Sequence, residues 1–269
     1  MPEDTGVVLR YGPIAVGECF FHDPEPPPPV DLLRLRQVGS PTGLIDLERQ
    51  ATRVVDLRRD TAELFAALRS GARNEIRRCE RDDGVACRLR GAGEIPDDTL
   101  DSVLRDFAVF ARARAIRPIN RQRLERLREA GRLWLGEASG GDGAILCRHV
   151  YLVQCGRARL LHSLSGGWQA SGGAERARAG RINRCLHWHD MLAFRHLGVE
   201  RYDLGGIVIA PTDPVMAGIT RFKCDFGGET VVEFNGLRPL SIKGRMALTS
   251  LQAVRGLRRA VGRLRPGRS

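Results

Sequence analysis

"RINRCLHWHDMLAFRHLGVERYDLGG" (Arg181–Gly206) contains the change of period that decides the fold. Ile182, Cys185, Leu186, His189, Leu192, Ala193, His196 and Leu197 recur at helical spacing, which predicts a helix with one buried stripe. Gly198 supplies the stop, because glycine accepts the left-handed backbone of a helix C-terminus. "VERYDLGG" then reads as a strand that Tyr202 and Asp203 end, with Gly205 and Gly206 permitting close approach by a ligand.

Upstream, "RLWLGEA", "AILCRHVYLVQ" and "RARLLHSLSGG" are separated by the turns "ASGGDG" and "CGR", which predicts an antiparallel meander. Two helices precede it. One carries Leu100, Val103, Leu104, Phe107 and Ala111 on a single face, and "INRQRLERLREAG" stops at Gly131. Earlier still, short strands flank the stiff segment "PEPPPPV", which cannot join a sheet. Asp60 and Glu63 form a capping-box start to a helix lined by Leu64, Phe65, Leu68 and Ala72. A basic helix then breaks at Gly84 into a strand. Downstream, "IVIAPTDPVMAG" reads as a loop, "ITRFKCDFGG" as extended chain and "TVVEF" as a strand. A last helix places Leu248, Leu251, Val254, Leu257, Val261 and Leu264 on one side and arginines from Arg255 to Arg265 on the other. This order predicts an α/β (α+β) fold with a mixed, largely antiparallel sheet.

The 269 residues suffice for one large domain or two small ones. Basic residues outnumber acidic ones, 43 to 32, which suggests a polyanionic partner: RNA, DNA, anionic lipid or a phosphorylated substrate. The seven cysteines form no C-x-x-C pair and read as reduced thiols of a cytoplasmic protein. His187 and His189 of "HWHD" point about 200° apart on a helix, so they cannot share an ion, and no metal is expected. No phosphate-loop or dinucleotide motif is present, and the serines of "HSLSGG" lack a hydrolase elbow.

Two segments carry charge with more purpose. Arg176, Arg178, Arg181 and Arg184 crowd the expected helix N-terminus, where each cation costs about 0.3–1 kcal/mol unless an anion binds among them. A solvated arginine-rich loop is the other reading. Lys223 is one of two lysines among 43 basic residues, the second being Lys243. A compact ammonium differs from a planar guanidinium, so its place between Phe222 and Cys224 suggests a specific task. In extended chain Arg221, Lys223 and Asp225 would share one face.

With "RNEIRRCERDDGV", "LHWHDMLAFRHLGVERYDLGGI" and above all "GITRFKCDFGG", the chain resembles the FemAB/FemX-type aminoacyltransferases and their relatives with a BioF2-like acetyltransferase domain. The resemblance runs from Arg53 to Phe234 and implies a GNAT-like acyltransferase fold, with a reduced N-terminal half at residues 1–90. It places the acyltransferase domain at residues 91–240 and leaves the basic helix at 241–269. Such enzymes move an amino acid from aminoacyl-tRNA onto an amine, in peptidoglycan precursors or small natural products. The family's Phe-Lys pair falls on Phe222 and Lys223, where the lysine is associated with the tRNA end and with charge in the tetrahedral intermediate.

The resulting catalytic candidates are Lys223, Phe222 and Asp203. Asp225 shares with Asp203 the choice between proton acceptor and structural acid. Candidate binding residues are Arg181, Asn183, Arg184, Tyr202, Gly205, Gly206, Arg221 and Asp225. The expected partners are aminoacyl-tRNA as co-substrate, a small amine acceptor, and an anionic membrane against the basic helix. No further cofactor is expected. Acyl-CoA is the alternative donor, although "ARAGRI" around Gly180 lacks the required residues of a coenzyme A loop at Ala177 and Ile182. A basic RNA- or membrane-binding module is the non-enzymatic reading, and it leaves the Lys223 segment unexplained.

Overall fold

A computed structural model describes residues 6–25 and 27–250. The elements run β1 (Val7–Tyr11), β2 (Ile14–Phe20), β3 (Leu32–Val38), β4 (Ile45–Asp56), α1 (Thr61–Ala67), α2 (Ser70–Asp82) and β5 (Ala86–Arg90). Then come α3 (Asp97–Ala113), α4 (Arg121–Glu129), β6 (Leu133–Ser139), β7 (Ile145–Gln154) and β8 (Arg157–Ser165). The chain continues with α5 (Gly173–His196), β9 (Arg201–Ile207), α6 (Pro214–Cys224) and β10 (Glu229–Pro239). The described residues divide into two compact units, 6–49 with 233–250, and 50–232. These bounds differ from the expected breaks at residues 90 and 240, because β5 pairs with β6 and α2 packs on α5 inside the second unit. No helix among the described residues is long and apolar enough to cross a membrane. The expected basic helix face from Arg255 to Arg265 lies outside the described residues.

In the first unit the strand order is β1-β2-β3-β10, with β2 and β3 parallel and the other neighbours antiparallel. The proline-rich segment provides the crossover between β2 and β3, where it needs no ladder donors. Cys19, Leu33, Leu35 and Val38 form one buried cluster, and Val16, Leu32, Leu237 and Leu248 form another.

The second unit holds strands in the order β4-β9-β8-β7-β6-β5. The meander β6-β7-β8 is antiparallel, as its turn residues require. A crossover through α5 makes β8 and β9 parallel. The meander, α5 and β9 form the expected GNAT-like core. Leu64, Ile76, Tyr151, Trp188, Met191, Phe194, Tyr202 and Phe226 fill its centre. Each such side chain contributes about 1.5–3 kcal/mol by leaving water. Asp60 and Glu63 close the anticipated capping box on α1, at 2.8 and 3.1 Å. Gly198 adopts φ +77°, and the Val199 amide returns to the Phe194 carbonyl at 3.0 Å, ending α5.

Three expectations are corrected. First, α5 begins at Gly173, eight residues before Arg181, because "GAERARAG" consists mainly of strong helix formers. Arg181 therefore lies within the helix, and the supposed anion site at its N-terminus does not form there. Second, the buried face of α5 is broader than and rotated from the expected stripe: His187, Trp188, Asp190, Met191 and Phe194 are buried, while Leu197 is 53% exposed. The helix packs on both α2 and the sheet, so a single stripe cannot describe it. Third, "PVMAGITRFKC" is the helix α6 rather than loop and extended chain. Its start is a standard one: Asp213 accepts from the Val215 and Met216 amides, each at 3.2 Å, with Pro214 at the first helical position.

Candidate active site

Strands β8 and β9 pair only through Arg157–Arg201, Ala158–Tyr202 and Arg159–Asp203. Beyond that point no ladder pair joins them among the described residues, and a cleft of about 570 Å³ opens. Strand β8 lines it with Arg159, Leu160, His162 and Ser163, and β9 with Leu204, Gly205 and Gly206. Asn183 and His187 reach it from α5, and Val215, Ile219, Phe222 and Lys223 from α6. The size and the mixture of apolar wall with a few polar groups suit a small reacting moiety.

Lys223 sits on the last turn of α6, and its Nζ donates to the Gly206 carbonyl at 2.7 Å. Gly205 makes that approach possible. It holds φ +80°, and a side chain there would meet the Leu160 carbonyl at 3.2 Å and Lys223 Nζ at 3.6 Å. Burial lowers the Lys223 pKa to about 8; the Asp203 charge opposes the shift and Arg159 adds to it. Near neutral pH the cleft therefore holds an ammonium, but one that is easily discharged.

Two histidines beside it are neutral. Burial, reinforced by Arg123 and Arg159, brings His162 down to about 4. Burial also holds His187 well below its usual value, with His149, Lys223 and Arg184 adding repulsion. A chain of hydrogen bonds fixes the tautomer of His187. Tyr151 Oη donates to Asp190 Oδ2 at 2.6 Å. With that proton committed, the 2.6 Å contact between the tyrosine hydroxyls requires Tyr202 to donate to Tyr151. The 2.6 Å contact from His187 Nδ1 to Tyr202 Oη then requires Nδ1 to carry the hydrogen. Nε2 of His187 is left as the acceptor. Both tyrosines keep their protons, since burial and Asp190 push them well above the usual phenol value.

His149 anchors the far end of this network. Burial disfavours its charge, but the Cys147 sulfur and the Asp190 carboxylate outweigh that and push it up to about 10. As an imidazolium it donates to Asp190 Oδ2 at 2.9 Å and to Asn183 Oδ1 at 2.7 Å, so it holds the amide of a cleft residue. Gly136 makes room for Asp190: a Cβ there would lie 2.5 Å from its carboxylate.

The structure thus brings Lys223, Phe222, Asn183, Gly205 and Gly206 to one cleft and takes other candidates out of it. Asp203 is fully buried beside the cleft wall. Its carboxylate accepts from Arg157 at 2.6 and 3.1 Å, from the Gly205 amide at 2.8 Å and from Thr52 Oγ1, a constellation that holds β9 to its neighbours. Tyr202 is likewise internal and touches His187 rather than lining the cleft. Arg181 is buried against Asp83, at 3.0 and 3.1 Å, and Arg178 shares that carboxylate at 3.1 Å. Arg221 is exposed and does not line the cleft.

Arg184 and Asp225 line a second cleft of about 640 Å³, with Arg69, Arg176 and the first turn of α2. The two clefts share a wall, where the Arg184 guanidinium lies 4.8 Å above the Phe222 ring. Gly180 also belongs to this second cleft, inside α5. The residues compared above with a coenzyme A loop are therefore helical, and the loop before α5 is residues 169–172, after a 3-10 turn at Gly166–Trp168.

Tyr202 of this relay is among the binding residues read from the sequence, but Arg159, His162, His187, Tyr151 and Asp190 are not. "HWHD" offered a signal for His187, weighed only as a metal pair; nothing local marks the others.

No protein-family model and no curated protein matches the sequence. Solved structures do match, and the match is in the fold of the chain. A crystal structure of FemX superposes with TM-score 0.57 at 11% identity, over 84% of this chain and 82% of that one. The C-terminal domain of a putative lysylphosphatidylglycerol synthetase from Agrobacterium fabrum gives 0.54 at 16% identity, over 94% and 89%. L-PGS from Bacillus licheniformis gives 0.51 at 12% identity, over 84% and 73%. The likeness is one of fold, and the FemX resemblance read from the sequence has its counterpart there.

Proposed function

We propose that the chain is an acyltransferase that forms an amide bond, moving an aminoacyl group from aminoacyl-tRNA to a small amine acceptor. The observation that carries this reading is the pairing, in one cleft, of the Lys223 ammonium with a neutral His187 whose Nε2 is an acceptor. Acyl transfer needs those two functions: a base for the incoming amine and a positive charge for the developing oxyanion.

In this mechanism the amine nitrogen attacks the ester carbonyl, and His187 Nε2 takes the proton that the amine loses. Lys223 stabilises the tetrahedral oxyanion. When the carbon–oxygen bond breaks, the proton passes to the departing tRNA 3′-hydroxyl, and His187 returns to its starting state. The ester is already activated, so positioning and charge supply most of the acceleration.

Support for an RNA-borne donor comes from charge. The protein carries a formal +11, and the second cleft presents Arg69, Arg176 and Arg184 on the other side of Phe222. Phosphates of an acceptor stem could occupy that cleft while the terminal ester enters the first.

The test is donor discharge. Purified protein is given charged tRNA pools or acyl-CoAs together with candidate amines. The reading expects amine-dependent loss of aminoacyl-tRNA, competition by uncharged tRNA, and a donor KM that rises with salt at a log–log slope of about 0.7 per phosphate contact. Discharge of acyl-CoA alone, with a flat salt response, would replace it by a coenzyme A-dependent N-acyltransferase.

A further inference from the structure

On the α2 and β5 side of α5 three cysteines and a histidine converge from three elements. Cys185 and His189 lie one turn apart on α5, and Cys87 comes from β5. One ligand atom from each falls within 4.8 Å of the other two. Cys79 of α2 neighbours Cys185 and offers a fourth donor, outside that 4.8 Å group. The three cysteines are free of disulfides.

We propose that Cys79, Cys87, Cys185 and His189 bind a single zinc ion that fastens α2 and the edge strand β5 to α5. Three thiolates and an imidazole are a standard tetrahedral set for structural zinc and disfavour magnesium or calcium. Ligand atoms around such an ion stand about 3.5–3.8 Å apart, so Cys87, Cys185 and His189 need only a small contraction, while the Cys79 side chain must move further to join them. The spacing in sequence hides it, because the ligands are contributed singly by α2 and β5 and as an i, i+4 pair by α5.

Cysteine is also a small apolar residue, and Cys79 and Cys185 belong to a cluster with Ala138, Ile182 and Leu186. Packing alone leaves His189 unaccounted for. Its side chain is 44% exposed, yet it turns toward a half-buried thiol, and its Nε2 lies 3.5 Å from Glu80 Oε1. A carboxylate behind a ligating imidazole is the usual outer partner of a zinc histidine. Exposure of His189 also gives an ion access from solvent.

Without a metal the Cys79 and Cys185 thiols stay protonated. Contact with Cys185 and burial raise Cys79, while Cys185, lowered by Cys79 but raised more by Cys87 and burial, is pushed up to about 12. Zinc would displace the three thiol protons to solvent and leave one negative charge on the zinc–ligand group, so binding should tighten as pH rises.

The full chain is purified in reductant without chelator, and its zinc is measured directly. Apoprotein is then titrated with zinc and with cobalt(II), whose tetrahedral thiolate complex absorbs in the visible. The expected result is one metal per chain, protection of Cys87 from alkylation, and affinity reduced at least about tenfold in both Cys87→Ser and His189→Ala. Those two positions lie outside the closed core, so both variants should fold, which circular dichroism checks. A folded, reduced wild-type chain that takes up neither metal at micromolar concentration overturns the proposal. So does a pair of folded variants that bind metal as tightly as wild type, or a Cys79–Cys185 or Cys87–Cys185 disulfide in place of the metal.

Discussion

His187 Nδ1 and the Tyr202 hydroxyl lie 2.6 Å apart, and the protons of Tyr202 and Tyr151 both point onward toward Asp190. The tautomer of a cleft residue is thus set by an acid three hydrogen bonds away. Replacing His187 by Gln should lower kcat by about 10²–10⁴ with donor and acceptor saturating, the range for loss of a general base. Tyr202→Phe keeps the ring and removes the acceptor for Nδ1–H. It should lower kcat by about tenfold, a smaller loss than that of His187→Gln. Single-turnover rates measure both, and full activity in His187→Gln would remove it from the mechanism.

Lys223 is enclosed by Gly205, Gly206 and Phe222, leaving a site shaped for an ammonium. Lys223→Ala should reduce kcat about 10²–10³-fold, as removal of one oxyanion donor does. Lys223→Arg should lose nearly as much while circular dichroism stays unchanged. Near-wild-type turnover by the arginine variant would show that positive charge alone suffices.

The pH profile follows from the two neighbouring groups. The ammonium is present below about 8 and lost above it, whereas an unburied lysine would hold its proton to about 10.5. His187 is a base above its own value, which burial holds well under 6.5. Activity should therefore be flat near neutrality, fall as pH rises through about 8, and fall on the acid side only below the ordinary histidine range. Absence of the alkaline limb would free the reaction from Lys223.

The same shift bears on stability. A lysine whose folded pKa is depressed carries its burial penalty in full below about 8, and the penalty disappears as pH rises past its unfolded value of 10.5. Lys223→Met keeps the apolar stem without the charge. At pH 7 it should stabilise the fold by about 1–2 kcal/mol, after allowing for the lost hydrogen bond to Gly206. Urea denaturation at pH 7 and pH 10 checks this, and the gain should shrink at the higher pH.

Asp203 is predicted to matter for folding rather than proton transfer. Asp203→Ala removes one acceptor from the buried Arg157 guanidinium, the Gly205 amide and the Thr52 hydroxyl, at about 3–5 kcal/mol. The melting temperature should drop sharply. A variant that stays as stable as wild type but is inactive would restore Asp203 to the chemistry.

Much of the scaffold was legible because local chemistry and tertiary need agreed. The Asp60–Glu63 box, the stop at Gly198 and the meander turns are decided within a few residues, and the structure keeps them. Lys223 stood out by composition, and Gly205–Gly206 as a glycine pair, although they lie inside β9 rather than after a strand ended by Tyr202 and Asp203. Where the reading failed, a local signal was present but misweighed: "TDP" ahead of Val215 is a helix start, and "GAERARAG" extends α5 backward.

What the sequence determined by itself is the order of elements and the identity of one exceptional cation, since both depend on periodicity, capping and residue type. Which charges would be consumed inside the fold was decided only in three dimensions. Arg181 meets Asp83 across 98 positions, and Arg157 meets Asp203 across 46, so neither is left for a ligand. The His187–Tyr202–Tyr151–Asp190 relay likewise draws on α5, β9 and β7. Buried polar groups must find partners wherever the chain brings them, and that pairing depends on distance in space rather than in sequence.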